Sequence, residues 1–178
     1  MSGSVREDGS KRLGIGLTNR WVPEKSDHGR LVHSAFWTPT ERLTIGFDYR
    51  PLSREVAPSA SFQLLQESFK LPQVTIGTSA DGFAGISSQE YHIIAGKNVS
   101  PYATWGISPW AGAMYIPGID DVRVIGGLHL SKGRLTTMGM YSGEKTHLVT
   151  TWKLTDTVST GHVWWGLEMH GLTVNFHF

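Results

Sequence analysis

The sequence predicts an all-β fold, an antiparallel meander of about eight to ten strands that forms a barrel-like or strongly curved sheet. Three observations support this prediction. Apolar residues recur at every second position along most of the chain, whereas helical spacing is almost absent. The 21 glycines favour tight turns. The inferred strands are joined by short links, which make sequence neighbours antiparallel.

The chain length of 178 residues suits a single β domain covering 1–178, with a polar N-terminal arm at 1–12. This arm lacks the apolar core of a secretory signal peptide, and no run in the sequence is long enough for a membrane helix. Two histories are therefore open: the chain stays in the compartment of its synthesis, or a leader has been removed.

The net charge and the absence of cysteine exclude several kinds of partner and site. Lys and Arg total 16 against 15 Asp and Glu, which leaves a formal net charge of +1. Such a chain offers no overall basic surface, so we expect no nucleic-acid partner. The absence of cysteine excludes disulfides, thiolate metal sites and cysteine nucleophiles.

The predicted strands become clearer towards the C-terminus. The stretch from Arg50 to Ala60 contains proline and serine and is predicted to be a connection, followed by a strand in SFQLLQESFKL. After Val122 the turns lie at Lys132-Gly133 and in the stretch SGEK, and each is flanked by alternating segments.

The C-terminal stretch GHVWWGLEMHGLTVNFHF predicts a hairpin. The apolar parity changes at His170-Gly171, and a two-residue turn there would fold the last run back onto the one before it. One face of this hairpin would be wholly apolar and would contact lipid or a protein partner. We therefore predict one continuous lipid- or partner-facing stripe, made of Val163, Trp165, Leu167, Met169, Leu172, Val174, Phe176 and Phe178.

The candidates for catalysis or metal binding are weak. Adjacent Asp120 and Asp121 would point opposite ways on an extended chain, and Ser108 lacks the glycine that a nucleophile elbow needs two residues later. In the predicted register His162 and His177 are diagonal neighbours that His129 and His147 could join, but without a recognised ligand spacing. We therefore predict no catalytic, cofactor-binding or metal-binding residue, and no enzyme.

The aromatic residues near strand ends have two interpretations. They fill the core of a soluble sandwich, or they form the interfacial girdles of a transmembrane barrel. The residues concerned are Trp37, Tyr49, Tyr102, Trp105, Trp110, Tyr115, Tyr141, Trp152, Trp164 and Trp165.

The tail resembles the terminal strand of bacterial outer-membrane β-barrels, which typically ends on Phe after alternating apolar residues, as Leu172, Val174, Phe176 and Phe178 do here. The stretch KLPQVTIGTSADGFAGISSQEYHIIAGK also looks like a hairpin of such barrels, so the likeness covers about Ser61 to Phe178. The resemblance implies a membrane-spanning barrel with a pore, adhesin, export-accessory or structural role. In the predicted register, however, Val163 to Met169 would rise only roughly 18 Å, short of an apolar band of about 25 Å.

Three functions follow, in order of preference. The first is a non-enzymatic structural β-barrel of a bacterial outer membrane, in contact with membrane lipid. The second is a soluble or membrane-surface β-module that serves as an accessory, stabilising subunit of a larger membrane protein complex, such as a pigment-binding or energy-transducing one, at its cytoplasmic or periplasmic face. The third is a lipid-modifying barrel enzyme.

Overall fold

A computed structural model describes residues 14–25, 27–80, 89–100 and 104–178. These residues form twelve strands and one short helix. No helix among them is long and apolar enough to cross a membrane. The elements are β1 Gly14–Trp21, α1 Asp27–Arg30, β2 Leu31–Thr40, β3 Leu43–Arg50, β4 Glu55–Leu65, β5 Gln73–Ser79, β6 Glu90–Gly96, β7 Gly106–Ile116, β8 Asp121–Lys132, β9 Leu135–Tyr141, β10 Thr146–Lys153, β11 Val158–Trp165 and β12 Met169–His177.

The strands form one closed barrel in which each strand pairs antiparallel with its sequence neighbours, and β1 pairs with β12. The predicted all-β antiparallel meander is confirmed, with twelve strands where the sequence predicted about eight to ten. The predicted polar arm at 1–12 lies outside the described residues.

The seam between β1 and β12 closes the barrel. Its register runs from Gly16 opposite His177 to Trp21 opposite Leu172. Beyond β12, the Phe178 N–H donates to the Ile15 carbonyl over 2.8 Å, and the Ile15 N–H donates back over 3.0 Å. The sheet therefore has no unpaired edge strand.

The barrel has two rims, which we name by the turns they carry. The lower rim contains the start of β1, the end of β12 and the two-residue turns 41–42 and 133–134. The upper rim contains the connections 22–30, 51–54, 117–120, 142–145 and 166–168. Each strand runs from one rim to the other, so any side chain can be placed by rim and by face.

The structure shows that the predicted connection from Arg50 to Ala60 is wrong for most of its length. Strand β4 begins at Glu55 and runs through Pro58, which lies opposite Phe47 of β3. A proline fits here because the ladder between β4 and β5 begins only at Ala60, so Pro58 has a partner strand on one side alone. The strand predicted in SFQLLQESFKL is confirmed only for SFQLL, the second half of β4, and residues 66–71 are not part of a strand.

Candidate functional site

Strand β3 shows how side chains divide between the two faces of the barrel. Ile45, Phe47 and Tyr49 are exposed on one face, whereas Asp48 and Arg50 on the other are only 6% and 3% exposed. Because successive residues of a strand point to opposite faces, the apolar set lies outside the barrel and the polar set inside it. We call these two faces the outer wall and the lumen.

The outer wall is mostly apolar, although Asn19, His33, Thr150, His162 and His170 also face outward. Every strand contributes apolar side chains to it, and register pairs place them on a common face across each ladder, as Trp37 lies opposite Ile45. The large exposed apolar side chains on the strands include Ile15, Leu17, Trp21, Trp37, Ile45, Phe47, Tyr49, Val56, Phe62, Leu64, Ile76, Tyr91, Ile93, Tyr115, Val122, Val124, Leu128, Tyr141, Trp152 and Leu172. A continuous apolar surface of this extent is unusual for a protein that meets water.

Charged residues avoid the outer wall. Within the described strands, Lys132 is the one charged residue on the outward side, and it lies at the lower end of β8. The others alternate with outward apolar residues and so lie on the lumen side of their strands. They are Arg20, Asp48, Arg50, Glu55, Glu90, Asp121, Arg123 and Lys153.

Aromatic side chains border the outer wall at both rims. Trp21, Tyr49, Tyr91, Tyr115, Tyr141 and Trp164 lie at the upper rim, and Trp37, Trp105, Trp152 and Phe178 lie at the lower rim. The other aromatic residues predicted near strand ends differ. Trp110 and Trp165 face the lumen, and Tyr102 lies outside the described residues.

An apolar groove of about 530 Å³ crosses the outer wall over β4 to β7. Its lining includes the small residues Ala60 and Ala113 between the larger Phe62, Ile93 and Tyr115. The groove opens in the outer wall, and no Asp, Glu, Lys or Arg lines it.

Hydrogen-bonded polar pairs on neighbouring strands line the lumen. The Ser79 hydroxyl donates to the Glu90 carboxylate over 2.8 Å, and the Ser34 hydroxyl donates to Asp48 over 2.5 Å. Both carboxylates are buried, and such partners reduce the cost of holding a charge away from water. The sequence analysis did not identify these lumen residues, although the alternation of Asp48 and Arg50 with apolar residues in β3 is a readable signal for them.

Apolar packing occupies two sectors of the upper lumen. One cluster joins Met114, Ile116 and Ile125, and another joins Val22, Val163 and Trp165. These residues face inward at the upper ends of their strands. Inward side chains therefore pack against one another in these two sectors near the upper rim.

Trp165 is the centre of the second cluster. The Lys25 Nζ lies 3.4 Å from the centroid of the indole ring, and the Arg20 guanidinium carbon lies 4.8 Å from it. The His147 ring lies 4.4 Å away, and its Nδ1 accepts a hydrogen bond from the Gly166 N–H over 3.0 Å. Through the buried Trp165 ring, these contacts hold the segment between β1 and β2 against β10 and β11.

Glycines make room for rings inside the lumen. A Cβ at Gly16 would lie 2.8 Å from the Phe36 ring, and one at Gly77 would lie 2.6 Å from the His92 imidazole. In each case the glycine is the direct register partner of the ring on the next strand. The pairs are Phe36 with Gly16, His92 with Gly77 and Trp110 with Gly127. Part of the glycine content is thus explained by lumen packing and not by turns.

The predicted C-terminal hairpin register is wrong. Val163 lies opposite Gly171 and Trp165 opposite Met169, and both Val163 and Trp165 are buried in the lumen, at 2% and 4% exposed. Met169 packs beside them. The single stripe is therefore divided: Leu167 lies in the turn, and Leu172, Val174, Phe176 and Phe178 face outward.

The turn geometry explains the difference. Gly166 and Leu167 have φ of 62° and 56°, the positive values that a tight hairpin turn of type I′ requires at its central positions. Gly171 is a buried strand residue, and a Cβ there would lie 2.6 Å from Val22. Gly171 thus allows Val22 to pack against β12, and the turn uses the earlier glycine.

The histidines also occupy positions different from those predicted. His162 faces outward and His177 faces the lumen, so they are not diagonal neighbours. His162 instead lies 3.0 Å from His170, from Nε2 to Nδ1, and the His170 ring stacks on Trp164. Within the described residues, no group of three or more potential ligands lies close enough to hold a metal ion.

The remaining sequence candidates have structural contacts. Asp120 has a φ of 50° in the β7–β8 turn and accepts a hydrogen bond from the Tyr115 hydroxyl over 3.0 Å. Asp121 forms an ion pair with Arg123 at 2.7 Å. Ser108 lies within β7, opposite His129.

No protein-family model matches the chain, and no curated protein shows significant similarity to it.

Proposed function

We propose that this protein is a structural, non-enzymatic β-barrel that spans a bacterial outer membrane, with its outer wall in contact with lipid. One observation carries the proposal: every charged residue of the described strands except Lys132 lies on the lumen side, and the outer wall is bordered by aromatic residues at both rims. Hydrocarbon penalises charge, and Trp and Tyr prefer the membrane–water interface.

Barrel closure supports the same proposal. In a bilayer core no water is present to hydrogen-bond an exposed strand edge, so a spanning sheet has to be closed. The seam between β1 and β12 provides this closure, and its register extends over six residue pairs.

Strand length also supports a membrane-spanning role. At about 3.3 Å per residue and a tilt near 40°, the strands of seven to twelve residues rise roughly 18–30 Å, a range that includes an apolar band of about 25 Å. The corrected register gives β12 nine residues, roughly 23 Å, because Met169, His170 and Gly171 belong to the strand.

Lipid is a better occupant of the outer wall than a protein partner. All twelve strands contribute apolar residues to the wall, so an accessory-subunit role would require a partner complex that encloses the barrel. Lipid surrounds such a surface without specific contacts.

The experiment is expression in a bacterial host followed by carbonate and high-salt washing of the membranes, together with gel electrophoresis of unheated and boiled samples. An embedded barrel stays in the membrane pellet and migrates differently before and after boiling. Release by carbonate, or identical migration of the two samples, would overturn the proposal.

A further inference from the structure

The lower rim carries a patch of cations beside two tryptophans at the ends of β7 to β10. We call the set Trp105, Lys132, Arg134 and Trp152 the cationic patch. Lys132 Nζ lies 4.9 Å from the centroid of the Trp105 ring. The Lys153 N–H donates to the Arg134 carbonyl over 2.9 Å, which holds the two neighbouring hairpin ends together.

The charges of this patch are incompletely neutralised by the protein. Among the described residues, neither Lys132 nor Arg134 forms an ion pair. At the upper rim, two cations have acidic partners: Arg123 pairs with Glu144 and Lys145 pairs with Glu168, both at 3.0 Å. The patch thus offers positive charge to a ligand, whereas those upper-rim charges already have acidic partners.

The position of the patch relative to the outer wall determines what can bind it. Trp105 and Trp152 are 41% and 50% exposed, and Trp152 lies opposite the outward Leu135. Lys132 also lies opposite Leu135, at the point where the apolar surface ends. A ligand at the lower rim would contact the apolar outer wall on one side and the cations on the other.

Resting on the proposed function, we propose that the cationic patch binds the phosphate of an anionic lipid head group and so fixes the lower rim in an anionic membrane leaflet. Lysine and arginine N–H groups donate to phosphate oxygens, and indoles are anchored at head-group level. Free phosphate would satisfy the cations but would leave the exposed parts of both indoles in water. The lipid is therefore the occupant that matches both halves of the patch.

The test compares lipid retention by the folded barrel in detergent micelles that contain either phosphatidylglycerol or phosphatidylcholine, measured by native mass spectrometry. We expect the wild type to retain phosphatidylglycerol preferentially. The double variant Lys132→Gln/Arg134→Gln should lose this preference, by about fivefold per cation. The control Arg54→Gln/Lys145→Gln removes the same charge from the upper rim and should keep the preference.

The outcomes separate this inference from the proposed function. Equal retention of the two lipids by the wild type, or equal loss of preference in both double variants, would overturn the patch assignment while heat-modifiable migration still supported a membrane barrel. Displacement of phosphatidylglycerol by inorganic phosphate at equal concentration would also contradict it, because the indoles would then contribute nothing. A chain that fails to remain in membranes fails the proposed function itself.

Discussion

The outer wall and the lumen are formed by the same twelve strands, yet they follow opposite rules of polarity. In β3, Phe47 is 47% exposed and its neighbour Asp48 is 6% exposed. In a barrel that meets water, the apolar residue would face inward. The polarity of each face of a barrel depends on the medium that the face meets and not on the topology, and the exposed apolar residues support the proposed contact with lipid.

The strongest test of this comparison places the same charge on the two faces of β12. Val174 faces outward and Asn175 faces the lumen, where its side chain donates to the Ser159 hydroxyl over 3.2 Å. Val174→Asp should abolish membrane assembly, because a carboxylate in hydrocarbon costs about 2–3 kcal/mol and the strand offers it no partner. The fraction of heat-modifiable protein in the membrane pellet measures this. Asn175→Asp is the control and should assemble, and normal assembly of Val174→Asp would count against a lipid-facing wall.

The next test uses two adjacent tryptophans that face opposite ways. Trp165 is buried in the lumen between Lys25, Arg20 and His147, whereas Trp164 faces outward and stacks on His170. Trp165→Ala should lower the free energy of unfolding by about 3–5 kcal/mol, as expected for a large buried ring. Trp164→Ala should cost clearly less. Urea unfolding in vesicles compares the two, and equal losses would contradict the register of β11.

A smaller effect is expected from filling the space that a lumen glycine leaves. In Gly77→Ala the new Cβ would lie 2.6 Å from His92 and 2.7 Å from the Ala60 carbonyl oxygen, so the backbone has to shift. We expect a loss of about 1–3 kcal/mol in the free energy of unfolding. Gly139→Ala is the matched control on the outer wall, since its Cβ would meet only Leu148 at 3.8 Å. A neutral Gly77→Ala would show that the His92 ring does not lie over Gly77.

The smallest effect concerns the upper rim, outside both faces. Lys145 and Glu168 form an ion pair at 3.0 Å, but their side chains are 47% and 66% exposed. Glu168→Gln should therefore change the free energy of unfolding by less than about 0.5 kcal/mol, and added salt should erase the difference. A loss above about 1 kcal/mol in the same urea experiment would show that the pair is more important than its exposure indicates.

The fold class could be predicted from the sequence because alternation is local: each strand carries its own apolar and polar faces. The outward set Leu172, Val174 and Phe176 follows directly from that alternation. Register is not local. Gly166 and Gly171 both tolerate a turn, and the choice between them depends on Val22, a residue at the other end of the chain.

The lumen contacts were harder to predict because they too depend on residues that are distant in the sequence. The alternation of Asp48 and Arg50 in β3 marks an inward polar face, but nothing in the sequence places Lys25 on the ring of Trp165. That contact requires β1 and β11 to be two strands apart around a closed sheet, with β12 between them. Burial of Trp165 and Val163 therefore emerges only with closure.

The seam between Ile15 and Phe178 has a consequence for the order of events during biogenesis. A ribosome releases β1 first and β12 last, so β1 lacks one of its two neighbours until nearly all the described chain has emerged. During that interval the unpaired backbone amides and the apolar face of β1 can pair with the wrong strand. Productive folding therefore needs either a chaperone that binds β1 until β12 is available, or a concerted collapse of the chain in which β1 and β12 pair at the same time.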